Sequence, residues 1–135
     1  MYPQDYVYIH CPVDRGIEDG DTFTIGGVKI TAINVIGHSR DSTCFLMELD
    51  GVTYLFSGDV VYHGGVIGLL NFPMSSLEDY HVGLPKLAGL GVDGLFPSHG
   101  MFTLDHGQDT IDTALRELDS IFVPHSVMQS FLSRH

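Results

Sequence analysis

Residues 43–57 read TCFLMELDGVTYLFS, two runs of β-forming residues on either side of Asp50-Gly51. Aspartate followed by glycine favours a type I′ turn, because both central residues of that turn need positive φ. The stretch therefore predicts a β-hairpin. Just before it, DTFTIGGVKITAINVI (residues 21–36) repeats the pattern around Gly26-Gly27. Residues 22–57 are thus predicted to form an antiparallel meander of about four strands.

Helical spacing replaces the β pattern in residues 75–91, SSLEDYHVGLPKLAGLG. Ser75 followed by Glu78 matches a capping box, which marks a helix start. Pro85 lacks a backbone donor and clashes with the preceding turn, so this helix is predicted to be kinked or divided.

A short buried strand and an amphipathic helix are predicted for the rest of the chain. VDGLF (residues 92–96) has the composition of a buried strand, and DTIDTALRELDSIF (residues 109–122) has helical periodicity. The apolar stripe of the helix consists of Ile111, Ala114, Leu115, Leu118, Ile121 and Phe122. Each amphipathic helix needs a sheet face to cover. The predicted fold class is α/β (α+β), a mostly antiparallel sheet with helices on one face and an uncovered apolar face opposite.

Length and charge limit the classes of function. A chain of 135 residues holds one domain, taken here as residues 19–135 after an irregular segment over residues 1–18. Six basic residues against 17 acidic ones give a formal net charge of −11, which disfavours nucleic acid and anionic membranes as partners. Because the first residues lack a basic start followed by an apolar core, a cytoplasmic location is expected. Cys11 and Cys44 form no CxxC pair, so reduced thiols are expected, with Cys44 in the core.

Three polar side chains share one local setting. His38 in VIGHS, Asp59 in LFSGD and His99 in LFPSHG each follow a β-rich run and lie beside glycine. Loops at strand ends let a rigid scaffold aim ligands at one point. Two imidazoles and a carboxylate suit zinc, or another first-row metal such as iron or manganese.

The order and spacing of these motifs resemble the C-terminal half of metallo-β-lactamase-fold hydrolases. That superfamily includes glyoxalase II-like thioesterases, lactonases, flavodiiron proteins and RNA-processing nucleases. The similarity runs over residues 19–122, from DGDTFTIGG through FSGDVVY to LFPSHG. Two positions depart from the usual motifs: Ile36 replaces a proline before Gly-His, and Ser98 replaces a glycine before the last histidine.

The resemblance implies a fold and a site. The fold would be half of an αββα sandwich, and the metal ligands would be His38, Asp59 as the bridging and catalytic carboxylate, and His99. The implied function is metal-dependent hydrolysis, in which activated water attacks an ester, thioester, lactone or similar bond of a small-molecule substrate. His63 and His106 are candidates to support the ligands or touch substrate. Tyr62 is interpreted as a packing residue.

The first half of the family, with its HxHxDH ligand motif, has no counterpart in this sequence. This chain therefore offers each metal of a two-metal site only two ligands, whereas a catalytic zinc normally has three. Three interpretations remain open. The chain could be a piece of a longer hydrolase, a half that forms a homodimer and completes the site between subunits, or a noncatalytic interaction module that dimerises through its open sheet face.

Overall fold

The computed structural model describes residue 7, residues 9–120 and residues 124–132. In chain order its elements are β1 (Thr22–Ile25), β2 (Val28–Asn34), β3 (Thr43–Leu49), β4 (Val52–Gly58), β5 (Val61–Tyr62), β6 (Val66–Ile67), α1 (Leu77–Gly83), β7 (Gly94–Pro97), α2 (Gly107–Leu118) and α3 (Val127–Leu132). Two 3₁₀ turns, His63–Gly65 and Leu84–Leu87, join neighbouring elements. None of the helices described is long and apolar enough to cross a membrane.

The main sheet has the strand order β1-β2-β3-β4-β7. The first four strands are antiparallel neighbours, as predicted, and β7 pairs in parallel with β4. Both predicted hairpin turns form: Gly26 and Gly27 have φ of 58° and 85°, and Asp50 and Gly51 have φ of 53° and 78°. Positive φ at both central residues matches the right-handed twist of the flanking strands. The turn residues therefore fix the register of the meander.

One face of this sheet forms the hydrophobic core. Side chains alternate between faces along a strand, so the register Thr31, Leu46, Leu55 and Leu95 lies on one side. Leu55 and Leu95 are buried, together with side chains of α1, the following 3₁₀ turn and α2, namely Tyr80, Leu84, Leu87, Ile111 and Ala114. Cys44 lies in the same core, and burial raises the pKa of its thiol to about 12.

The opposite face is apolar and partly exposed. Its central register is Ala32, Phe45, Phe56 and Phe96, and the neighbouring register is Phe23, Ile30, Met47, Tyr54 and Gly94. These two registers, together with Phe102, are called the open face below. Phe96 stacks on Phe56 with ring centroids 5.2 Å apart and on Phe102 at 5.5 Å. Phe56 remains 41% exposed and Phe102 56% exposed. The predicted arrangement, with helices on one face of a mostly antiparallel sheet, is confirmed.

The helices differ from the prediction in detail. The first helical region is divided as expected, since α1 ends at Gly83 and Pro85 lies in the 3₁₀ turn that follows. Its N-cap, however, is Ser76, whose Oγ accepts from the Asp79 backbone N–H at 3.2 Å. The capping box predicted for Ser75 and Glu78 is therefore wrong. α2 covers Gly107–Leu118, and the stripe residues Ile121 and Phe122 lie outside the described residues.

Candidate metal centre

Three strands that run in the same direction end at one edge of the sheet. β2 and β4 are both antiparallel to β3, and β7 is parallel to β4. His38 follows β2, Asp59 comes directly after β4, and His99 lies two residues beyond β7. Because the carboxyl ends of these strands share an edge, side chains far apart in sequence meet there.

The Asp59 carboxylate lies between two imidazoles. His38 Nε2 is 3.7 Å from Asp59 Oδ2, and His99 Nε2 is 3.6 Å from Asp59 Oδ1. Each histidine thus approaches a different oxygen. The side chain of His38 is 19% exposed, that of Asp59 34% and that of His99 78%, so the group opens to solvent on the His99 side.

A backbone carbonyl orients His38. Its Nδ1 lies 2.6 Å from Gly68 O. A carbonyl only accepts hydrogen bonds, so Nδ1–H is the donor in this contact, and Nε2 is the ring nitrogen that faces Asp59. Metal-binding histidines in proteins commonly donate their other ring N–H in this way. The Phe72 ring stands edge-on to the imidazole, with centroids 6.2 Å apart.

Tyr62 contacts the carboxylate directly. Its hydroxyl donates to Asp59 Oδ1 at 2.7 Å. Burial, and then the hydrogen bond to Asp59 and the charge on it, raise the pKa of Tyr62, so the hydroxyl stays protonated and remains a donor. The interpretation of Tyr62 as a packing residue is wrong. A lone tyrosine three residues after Asp59 matches no motif, so burial and geometry alone identify it.

Tyr62→Phe is expected to weaken zinc binding about tenfold, the lower end of the loss that follows removal of a partner to a ligand. Without the hydroxyl, the carboxylate can rotate away from the position it holds between the two histidines. Competition with a chromophoric chelator measures the effect. Tyr54→Phe, the same change on the open face, serves as the control. Equal zinc affinity in the two variants would contradict a role for Tyr62.

All three candidate ligands line a cleft of about 730 Å³. This volume lies in the range of about 300–1,000 Å³ that is typical of small-molecule sites. Apolar side chains form much of the remaining wall, namely Val66, Leu70, Met101 and Val127. Tyr62, His63 and Gly100 complete the lining. The cleft can thus hold an apolar group next to a polar cluster.

The C-terminal segment is held in place by Glu117. The Glu117 carboxylate accepts the His125 backbone N–H at 2.9 Å, and its other oxygen lies 3.0 Å from His125 Nδ1. His125 O in turn accepts the Ile67 N–H at 2.9 Å, and Ser126 forms a parallel bridge to Ile67. These contacts bring Val127 to the cleft.

Glu117→Gln is expected to speed hydrogen exchange of the Ile67 amide with solvent about threefold. The effect is small because exposed ion pairs contribute little to stability. The backbone and ring hydrogen bonds from His125 hold the pKa of Glu117 below its usual 4.5. Stability from a lowered carboxyl pKa is present above the unfolded value and is lost as pH falls through the folded one. Wild-type Ile67 should therefore lose protection below pH 4.5, after correction for intrinsic exchange. The variant should lack this dependence, whereas Glu78→Gln should behave like wild type.

Comparison with known proteins identifies the lineage, although no family model matches the chain. It is 37% identical over 101 residues to the lactamase-like protein vrtG of Penicillium aethiopicum, covering 72% of this chain and 30% of that protein. It is 34% identical over 95 residues to an atrochrysone carboxyl ACP thioesterase of Aspergillus fumigatus, covering 70% and 28%. A metallo-β-lactamase from Pontibacter korlensis superposes with a TM-score of 0.62 at 23% identity, over 79% of this chain and 49% of that one.

The chain belongs to the metallo-β-lactamase superfamily. It spans about 30% of the length of the curated relatives that it matches. A solved metallo-β-lactamase from Cronobacter sakazakii, 28% identical with a TM-score of 0.52, likewise matches 67% of this chain but only 35% of its own. The similarity to these proteins therefore covers one part of each.

In this chain, the candidate ligands fit a metal in orientation but not in number. His38 Nδ1 contacts Gly68 O, which directs Nε2 toward Asp59, and Asp59 has one oxygen toward each histidine. Within the described residues, no group of three or more His, Cys, Asp or Glu side chains could hold one ion by itself. The arrangement thus offers one histidine on either side of the shared Asp59 carboxylate, that is, two candidate ligands for each metal position.

The two further histidine candidates lie in different places. His63, in the 3₁₀ turn after β5, is exposed and lines the cleft. His106 occupies the N-cap position of α2 with φ of 56°, and its Nδ1 lies 3.3 Å from Asp109 Oδ2. It is not among the residues that line the cleft. The structure thus brings His63, but not His106, to the candidate centre.

Proposed function

We propose that this chain is the part of a metal-dependent hydrolase that supplies the bridging carboxylate and one histidine for each of two metals. Thioesters of apolar acyl groups are the first substrate candidates, and esters and lactones are alternatives. The observation that carries the proposal is the Asp59 carboxylate, which lines the cleft and lies between His38 Nε2 and His99 Nε2.

The relatives support an acyl substrate. Two proteins similar to this chain are named as thioesterases: the atrochrysone carboxyl ACP thioesterase of Aspergillus fumigatus, and the acyl-coenzyme A thioesterase MBLAC2 of Gallus gallus, which is 38% identical over 81 residues. The apolar wall of Val66, Leu70, Met101 and Val127 favours the same class, because burying an acyl chain there removes apolar surface from water.

The residues of the chain have distinct tasks in this proposal. His38, Asp59 and His99 would hold divalent metal, zinc first with iron or manganese as alternatives, which acts as a Lewis acid and lowers the pKa of bound water. Gly68 O keeps the proton of His38 on Nδ1, and Tyr62 restrains Asp59 Oδ1. The apolar wall orients the acyl group and keeps water away from it. His63, which is exposed and lines the cleft, would contact the leaving group.

A second sheet must complete the site. The open face presents Phe45, Phe56 and Phe96 in one register, and two such faces can pack about 10 Å apart in a sandwich. The partner can be a separate half such as the rest of the relatives' length, or a second copy of this chain. A second copy would bring another set of His38, Asp59 and His99 to the interface.

The test combines molar mass in solution, zinc content and release of thiol from an acyl thioester, all on the full chain. We expect zinc-bound dimers that hydrolyse the thioester, and loss of both zinc and activity in His38→Ala and His99→Ala. His81→Ala is the control, because His81 is exposed on α1 and does not line the cleft. A metal-free monomer that binds zinc only when a separate half is added would favour the interpretation that the chain is a piece of a longer enzyme.

A noncatalytic interaction module is the second candidate, and the partly exposed aromatic residues of the open face favour it. Exposed apolar faces of this kind mark interaction sites. It predicts a stable dimer that contains no metal and is unaffected by His38→Ala or His99→Ala. That result would overturn the hydrolase proposal for this chain.

A further inference from the structure

Helix α1 packs directly against the turn that carries His38. A Cβ on Gly37 would lie 2.5 Å from Tyr80 Cγ, so the Gly37 backbone rests on the tyrosine ring. One turn along the helix, Gly83 meets the Ile36 backbone just as closely. Gly37 O also accepts the Ser76 N–H at 2.9 Å and the Ser75 hydroxyl at 3.2 Å. The helix therefore fixes the backbone on the N-terminal side of His38.

The Tyr80 hydroxyl contacts the loop of the other candidate ligand. It donates to Val60 O at 3.0 Å, and Val60 directly follows Asp59 in sequence. The same carbonyl accepts the Gly68 N–H at 3.2 Å, and Gly68 O is the acceptor for His38 Nδ1. The Tyr80 hydroxyl is thus linked to Asp59 through Val60, its neighbour in sequence, and to His38 through the Gly68 peptide.

We propose that Tyr80 is a positioning residue for this centre: its ring sets the His38 turn, while its hydroxyl holds Val60 and Gly68 in the arrangement that aims His38 Nε2 at Asp59. Tyr80 has no exposed surface and does not line the cleft, so it touches neither ligand atoms nor substrate. The inference rests on the proposed metal centre for its functional meaning.

If Tyr80 served only to fill the core, its ring would provide most of its contribution. Removal of the hydroxyl alone therefore distinguishes a packing role from a positioning role. Tyr80→Phe keeps the ring against Gly37 and removes only the donor to Val60 O. A packing role predicts a small uniform loss of protection throughout the core. A positioning role predicts a local effect at the Gly68 peptide and at His38.

The experiment is NMR on the full chain without metal, following exchange of the His38 Nδ1–H and the nitrogen shifts that report its tautomer. In Tyr80→Phe, we expect that proton to exchange about tenfold faster, the factor set by loss of about one buried hydrogen bond. The Leu95 amide, which donates to Thr103 O at 3.0 Å in the core sheet, should keep its rate. Tyr54→Phe on the open face should change neither.

Unchanged His38 exchange and tautomer in Tyr80→Phe would overturn the proposal, and so would equal acceleration at Leu95. If that variant fails to fold, Ser75→Ala tests whether the start of α1 sets the His38 turn that the Tyr80 ring packs against, because it removes the side-chain hydrogen bond to Gly37 O. We expect several-fold faster His38 Nδ1–H exchange there, and no change would overturn the claim that packing of α1 against Gly37 positions His38. Because no measurement depends on metal or catalysis, the outcome is separate from that of the proposed function.

Discussion

Asp59→Asn is expected to lower zinc affinity by more than about 100-fold and to abolish thioester hydrolysis. Loss of a partner that only supports a ligand costs about 10–100-fold in affinity, so loss of the ligand itself should cost more. The amide keeps the shape of the side chain but replaces one of the two oxygens that face His38 and His99 with a nitrogen donor. Zinc per chain and competition with a chelator measure the loss.

Asp119→Asn is the matched control for this prediction, since Asp119 is exposed at the end of α2. It changes the net charge of the chain by the same amount without touching the cleft. Zinc affinity within about threefold of wild type in Asp59→Asn would show that the carboxylate is not a ligand. The fold of each variant is checked by thermal unfolding, which neither substitution should shift by much, because both side chains keep their volume.

Gly68→Ala should destabilise the protein by about 3 kcal/mol, because overpacking a rigid site typically costs about 1–3 kcal/mol and sometimes more. For a domain of this size, that loss lowers Tm by about 10 °C. The added Cβ would clash with Asp59 O and would lie 3.1 Å from His38 Nδ1. Relief of the clash requires backbone movement, so zinc affinity should fall together with stability. Thermal unfolding and chelator competition measure the two effects.

Gly16→Ala provides the comparison, since a Cβ on Gly16 meets no heavy atom within 4 Å. Its Tm should stay within about 1 °C of wild type, as expected of a surface substitution. An equally small change in Gly68→Ala would mean that the Gly68 peptide is free to shift, and that the carbonyl does not hold His38 in place.

Local chemistry determined the parts of the fold that the sequence predicted well. Asp50-Gly51 and Gly26-Gly27 require positive φ, and alternating apolar residues on both sides leave little freedom in register. Pro85 divides the first helical region for an equally local reason. The two-residue strands β5 and β6 are too short to show any periodicity. Ser76 rather than Ser75 is the N-cap because the Ser75 hydroxyl makes a tertiary hydrogen bond to Gly37 O.

The candidate site was predictable only in part. Motif resemblance selected His38, Asp59 and His99, and the parallel alignment of β2, β4 and β7 brings them to one edge of the sheet. Their role as ligands remains a prediction. Tyr62 and Tyr80 could not be selected from sequence, because the hydroxyl of each donates to a loop oxygen whose position depends on tertiary packing.

The parallel pairing of β7 with β4 also bears on the order of folding. The meander is built from hairpins between neighbouring strands, whereas Leu55 must meet Leu95 across a long stretch of chain. Contacts of high sequence separation form slowly, because loop closure costs entropy before the contact is made. His99 therefore reaches Asp59 only after β7 has docked. Metal bound to both His99 and Asp59 would slow the detachment of β7 from the sheet. Metal binding should therefore indicate that β7 has joined the sheet.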